Sequence, residues 1–339
     1  MLNIDKSKVD FLVTENMVDE VEGFINETVK KITPIVDKLF ENKIEKICFV
    51  GCGSCRAAGM TGKYIFDKYS TIDAKSYTGW EFVDNTPGCI DENCAVILIS
   101  HSGKTEEIVE ALKKAKSLGA ITIGVTETMD NPLALGVDFV VDYHAHCIWE
   151  IHLLSVYYIA CSYIQRIAPD REVESILNDM EKLPRVLAHL VKSYEDKALE
   201  MANQVHDWKG FYTVAAGPLY SLAYKEGVIT NMEFLWSHGS TLESGEFRHG
   251  PLEITDENSS FMFLLGTDPS RHTTERALDF VRKYKGKYIV FDYKELSDGL
   301  HPDLSPFVLF PPMEWFCYYF AIVRDHNPDD RRYYNVVEY

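Results

Sequence analysis

The sequence predicts an α/β protein built as two similar halves, each a mostly parallel sheet flanked by helices in three flavodoxin-like layers, behind an N-terminal helical lead-in. Three observations lead there. Short apolar runs end in glycine or serine turns that open directly into amphipathic helices. The runs are continuously apolar rather than alternating, as in parallel strands covered on both faces. The same order of strand, turn and helix then recurs in the second half of the chain.

Taken in order, residues 1–34 form the lead-in: Val18, Val21, Phe24, Ile25, Val29 and Ile32 recur at helical spacing between charges. Residues 35–170 form the first α/β domain. Its first strand is Lys46 to Val50, closing on Gly51-Cys52-Gly53-Ser54, and its second is Ala95 to Ile99, closing on Ser100-His101-Ser102-Gly103-Lys104-Thr105. Ile121 to Val125 and Phe139 to Val141 supply two more strands, and Trp149 to Ile167 an apolar helix. A charged helical linker, 171–206, leads to the second domain, 207–339. There Gly210 to Gly217 answers Lys46 to Gly53, Phe261 to Gly266 answers Ala95 to Ser100, and Tyr288 to Phe291 answers Ile121 to Val125, at similar offsets.

Composition excludes several classes of function. The 339 residues are 46% hydrophobic and 12% aromatic, enough for two cores. A net charge of −18 and a pI near 5.0 leave no basic footprint for nucleic acid or an anionic membrane, so neither is an expected partner. With no uninterrupted apolar run of about 18 residues and no basic, apolar leader, a cytoplasmic location is expected. The eight cysteines read as reduced core residues. Cys52 and Cys55 have redox or zinc-knuckle spacing, but no second pair follows, and His144 with His146 lacks a third ligand, so no metal is expected.

Two constellations carry chemistry. Ser100 to Thr105 lies at a strand's carboxyl end and a helix's first turn, where unpaired N–H groups and the helix dipole favour an anion. It reads either as a phosphate cradle or as an ordinary Ser/Thr helix cap. The corresponding second-half segment, Gly266-Thr267-Asp268-Pro269, offers an acid and a proline instead of hydroxyls. Downstream, a helix predicted from Ser221 through Trp236 places Glu226, Thr230 and Glu233 on one face. Either carboxylate, shielded by Met232, Phe234 and Leu235, has the setting of a general base or of an ion-paired surface residue. Glu243 to Pro251 follows, with His249 as a second acid–base group or a merely hydrogen-bonded one. Arg331 to Tyr334 reads as a tail packed on the body.

The Ser-x-Ser-Gly-x-Thr-x-Glu cradle, the Gly-Cys-Gly-Ser turn before it and the Glu243 to Pro251 stretch resemble the SIS domains of the phosphosugar isomerase and deglycase family. The resemblance spans nearly the whole chain as two tandem SIS domains. Val9 to Met17, Cys147 to Leu154 and Asp325 to Tyr334 are most similar to the phosphorylated Amadori-product deglycases within it. That resemblance implies an enzyme cleaving a 6-phosphorylated fructosamine, such as that of lysine, with water to glucose 6-phosphate and the amine. It implies Glu233 as proton-transferring base, chosen over Glu226 by the family's spacing to the ring-opening His249. It further implies Gly53, Ser54, Ser100, His101, Ser102 and Thr105 as phosphosugar ligands, no cofactor, and a homo-oligomer of two or more copies. One departure stands out: Thr230 occupies the place of the isomerases' lysine, which favours deglycase over isomerase chemistry.

Overall fold

A computed structural model describes residues 1–338. The chain divides into two compact units, one of residues 19–184 and one of residues 1–18 with 185–338.

In the unit of residues 19–184, most of α1 (Thr14–Glu27) and all of α2 (Ile32–Glu41) precede β1 (Lys46–Gly51). There follow α3 (Ser54–Tyr69), β2 (Asp73–Tyr77), α4 (Gly79–Asp84), β3 (Cys94–Ile99), α5 (Glu106–Ser117) and β4 (Ile121–Thr126). The unit closes with α6 (Pro132–Gly136), β5 (Phe139–Asp142), α7 (Ile148–Ile167) and α8 (Arg171–Met180). All strand pairs are parallel, in the order β2-β1-β3-β4-β5. That is the flavodoxin-like order, whose switch point falls between β1 and β3. Every residue of β3 is buried, so it forms the spine of the sheet. The register pairs Gly51 with Ile99, so the loops that follow β1 and β3 leave the sheet side by side.

In the other unit, α9 (Leu183–Ser193) and α10 (Glu195–Gln204) lead to β6 (Gly210–Ala215), α11 (Tyr220–Tyr224) and a π-helix (Lys225–Phe234). The order continues through β7 (His238–Glu243), β8 (Ser260–Leu265), α12 (Arg271–Lys283), β9 (Lys287–Asp292), α13 (Tyr293–Leu296) and α14 (Ser305–Val323). Its sheet, β7-β6-β8-β9, is also wholly parallel and repeats the first four positions of the other sheet. On one face, Phe247, Phe261 and Phe263 pack with Leu278 and Val281 of α12. Elsewhere Phe211 packs on Phe316 and Phe320 of α14, and Phe291 on Phe316, with ring centroids 5.8 to 6.3 Å apart. The helix running Pro302–Val323 is long and apolar enough to cross a membrane by composition, yet 89% of its apolar window is buried in the protein.

The two strands that the sequence does not announce, β2 and β7, take the same edge position in their sheets. Asp73-Ala74-Lys75-Ser76-Tyr77 and His238-Gly239-Ser240-Thr241-Leu242-Glu243 are half-exposed and polar, because an edge strand pairs on one side only.

Candidate active site

The Ser100–Thr105 loop is built around a glycine. Gly103 has φ +61, and a Cβ there would lie 1.9 Å from Oδ1 of the buried Asn131. Asn131 is locked in place: its Nδ2 donates to Thr126 Oγ1 (3.1 Å) and Thr128 O (2.6 Å), and its Oδ1 accepts from Ala134 N (2.9 Å). The loop backbone therefore approaches the protein more closely than any side chain permits.

The hydroxyls do not behave as helix caps. Thr105 stands at the N-cap of α5 but makes no side-chain cap hydrogen bond, and its Oγ1 lies 3.0 Å from Ser100 Oγ instead. Ser102 Oγ accepts from Lys104 N at 3.2 Å. No side-chain cap thus covers the first turn of α5, an arrangement whose N–H groups favour an anion. Beside it, Gly53 (φ +57) precedes α3, again without a side-chain cap, and Ser54 is the helix's first residue. His101 is tied by Nδ1 to the Tyr143 hydroxyl at 2.9 Å.

The corresponding loop of the other unit is filled by its own acid. Asp268 is 5% exposed, and its Oδ1 accepts from Ser270 N at 2.9 Å and from the Ser270 hydroxyl. A Cβ on Gly217 or Gly266 would lie 2.6 or 2.3 Å from that carboxylate. Neither α5 nor α12 has a side-chain cap, so the two loops differ in what they present: hydroxyls in one, a buried carboxylate in the other.

The helix that carries Glu233 departs from the sequence reading. Ser221, at the expected start of that helix, sits inside α11 and donates to Pro218 O at 3.3 Å. From Lys225 to Phe234 the winding is π, with i→i+5 bonds. Each residue then turns the chain through less than the ~100° of an α-helix, so positions seven apart no longer share a face. The expected alignment of Glu226, Thr230 and Glu233 is accordingly overturned. Glu226 is 1% exposed and takes a hydrogen bond from Lys225 Nζ at 2.8 Å, while Thr230 is also buried. Glu233 instead turns to the C-terminal tail.

There Arg331 Nε lies 3.4 Å from Glu233 Oε1, and its guanidinium covers Phe234 at 4.1 Å. Met232, expected to shield the carboxylate, is exposed. Burial pushes the Glu233 carboxyl above its ordinary pKa, and Arg331 partly opposes that. The tail is clasped by Asp329, which accepts from Asp10 N (2.9 Å) and Phe11 N (2.8 Å), while Phe11 packs on Phe234 at 5.0 Å. Trp236, at φ +48, meets the His326 ring at a tilt (centroids 4.3 Å apart) and is covered by Arg332 (4.1 Å). Glu233, Trp236, His238 and Arg331 to Tyr334 line a cleft of about 460 Å³. His249 is exposed on the loop after β7, next to Gly250 (φ +132), and is not among the residues lining that cleft.

Comparison with known proteins decides the family. The chain is 51% identical over 340 residues to the fructoselysine 6-phosphate deglycase of Escherichia coli K12, covering 100% of both chains. The chain belongs to the fructoselysine 6-phosphate deglycase family. A fructosamine deglycase of Bacillus subtilis is 32% identical over 91% of this chain and 97% of its own. The SIS domain profile matches residues 39–162, which contain both loops at the switch point.

Among solved structures, the C-terminal domain of glucosamine-fructose-6-phosphate aminotransferase from Francisella tularensis superposes with a TM-score of 0.82. At 20% identity over 93% of this chain and 98% of that one, it shares the tandem α/β fold of the deglycase family. The sequence reading missed Arg331 as Glu233's partner and Tyr143 as His101's. The first was weighed only as a tail residue, and the second carries no local signal, since its contact depends on where β5 ends.

Proposed function

We propose that this chain hydrolyses a 6-phosphorylated fructosamine of the fructoselysine 6-phosphate type to glucose 6-phosphate and the free amine. The observation that carries the reading is full-length similarity to a fructoselysine 6-phosphate deglycase, joined to a half-buried Glu233 with a raised carboxyl pKa in an open cleft. Gly53, Ser54, Ser100, His101, Ser102 and Thr105 are assigned to the phosphosugar, with the N–H groups at the start of α5 receiving the phosphate.

In the proposed chemistry His249 moves the proton that opens the cyclic ketoamine. Glu233 removes a proton from C1 as the C2 carbonyl oxygen gains one, giving the enaminol, and then returns a proton to C2. The C1–N bond becomes an imine, water adds at C1, and C–N cleavage releases amine and aldose phosphate. The C2 carbonyl takes up the electron pair released at C1 and the amine nitrogen's lone pair then drives protonation at C2, so the protein's task is to position its proton carriers.

The reading extends to a cytoplasmic homo-oligomer with no nucleic-acid or membrane partner. The exposed His249, outside the lining of the Glu233 cleft, fits a site completed by a second copy of the chain. Mixing Glu233→Gln with His249→Asn subunits should then restore part of the activity that each variant lacks.

The test of the activity is a panel of 6-phosphorylated sugar–amino-acid adducts with glucose 6-phosphate release as readout. Fructose 6-phosphate serves as the isomerase control. Turnover of the adducts without turnover of fructose 6-phosphate is expected, and the reverse pattern would overturn the reading.

A further inference from the structure

His101 is one end of a row of polar groups that runs into the protein. Its Nδ1 lies 2.9 Å from the Tyr143 hydroxyl, that hydroxyl lies 2.8 Å from His152 Nε2, and His152 Nδ1 lies 3.8 Å from Cys55 Sγ. At the outer end, His101 Nε2 is 3.5 Å from Glu127 Oε2. His152 is fully buried, Tyr143 is 7% exposed, and the His101 side chain is 33% exposed.

Such a row has two self-consistent directions, because a neutral imidazole donates from one nitrogen and accepts at the other. In one, His101 Nδ1–H donates to Tyr143, whose hydroxyl donates to His152. His101 Nε2 would then point a lone pair at the Glu127 carboxylate, acceptor against acceptor. In the other, the Cys55 thiol donates to His152 Nδ1, His152 Nε2–H to Tyr143, Tyr143 to His101 Nδ1, and His101 Nε2–H to Glu127. Only this direction makes every contact a donor–acceptor pair.

We propose that Tyr143 and His152 are positioning residues that hold His101 as a neutral imidazole protonated on Nε2, a donor that faces Glu127 in the ligand-free protein and turns to an oxygen of the bound phosphosugar when that ligand enters. This deepens the functional reading above and rests on it for the ligand, though not for the tautomer. The charge states agree with it. Burial keeps His152 neutral down to about 3 and raises the Cys55 thiol to about 12. For His101, burial lowers the pKa, Glu127 opposes and His146 adds to the lowering. Every member of the row inward of Glu127 is therefore uncharged at neutral pH. Donation from His101 needs no protonation event, and it stays constant across the range in which free histidine titrates.

The test begins with the ligand-free protein labelled with 15N-histidine, using long-range 1H–15N correlations. The expected spectrum has His101 and His152 both protonated on Nε2, unchanged from pH 6 to 8. Tyr143→Phe should give mixed His101 tautomers that titrate within that range. Glu127→Gln, altered at a part-exposed site, should also mix the tautomers and keeps the test decisive if the buried variant fails to fold.

Glucose 6-phosphate is the ligand probe. Its affinity should fall by roughly 3- to 10-fold in Tyr143→Phe, the loss of about one hydrogen bond, and should become pH-dependent there but not in the wild type. His101 protonated on Nδ1, or a variant spectrum identical to the wild type, would overturn the relay. Altered tautomers with unaltered affinity would overturn His101 as a ligand donor. Failure of the wild type to bind glucose 6-phosphate, with the tautomers as drawn, would overturn the phosphosugar reading while leaving the relay standing.

Discussion

Arg331 reaches Glu233 from the far end of the chain, Nε to Oε1 at 3.4 Å, while its guanidinium lies over Phe234 at 4.1 Å. The pair sits at the mouth of a cleft, so the carboxylate proposed as base is both partly dried and partly neutralised. Burial and the cation act on its proton in opposite directions, and burial is the larger.

If Glu233 moves the C1 proton, Glu233→Gln should lose at least ~10²-fold in kcat, the scale of a positioned acid–base group. Glucose 6-phosphate binding by calorimetry should be nearly unchanged, because the proposed phosphosugar ligands lie on other elements. Turnover near the wild-type rate would remove Glu233 from the mechanism.

Arg331→Met should shift the acid limb of the kcat/KM profile to higher pH. The sign follows from the cation's effect: Arg331 lowers the Glu233 pKa, so its loss leaves burial unopposed and the base is protonated at higher pH. A limb that stays in place would show that the ion pair does not tune the base.

Asp268→Ala should destabilise the protein by ~1–3 kcal/mol, the cost of leaving a buried donor unmatched. The Ser270 N–H and hydroxyl that Asp268 accepts from would lose their partner. A thermal melt measures this. Unchanged stability would mean that the loop relaxes or that water substitutes.

The buried trio of Lys225, Glu226 and Glu314 makes stability depend on pH. Lys225 Nζ is 2.8 Å from Glu226 Oε1 and 4.0 Å from Glu314 Oε2, so Glu226 takes the cation and Glu314 is left desolvated. Burial raises the Glu314 carboxyl from 4.5 to about 8. A raised folded-state pKa means that the native state holds a proton which the unfolded chain has released. This group's contribution is therefore full below the unfolded value and is lost as pH rises toward 8. Denaturant midpoints of the wild type should fall from pH 5 to 9, and Glu314→Gln should flatten that fall. Parallel curves for the two proteins would refute the assignment.

Much of the fold was legible because a buried parallel strand advertises itself. Lys46 to Gly51, Cys94 to Ile99 and Ser260 to Leu265 are apolar runs that no exposed segment would carry. Edge strands β2 and β7 were not, since Asp73 to Tyr77 and His238 to Glu243 keep one side in water and lack that pattern. The loop after β3 was legible from its hydroxyls and glycine. The refusal of Thr105 to cap α5 was not, because it depends on Ser100 lying 3.0 Å away across the turn.

By itself, then, the sequence determined the α/β class, its two-fold repetition and the hydroxyl-rich loop at the switch point, and family resemblance singled out Glu233 and His249 as candidates. Local pattern suffices where backbone period and burial agree. The tertiary structure alone decided the π-winding that parts Glu233 from Glu226, the Asp268 carboxylate that fills one loop, Arg331 beside Glu233, and the row from Cys55 to His101. Each of these is a contact between residues distant in the chain or a choice between two hydrogen-bond partners. Their energies are settled by which groups the fold brings within about 3 Å, a quantity that no local stretch of sequence encodes.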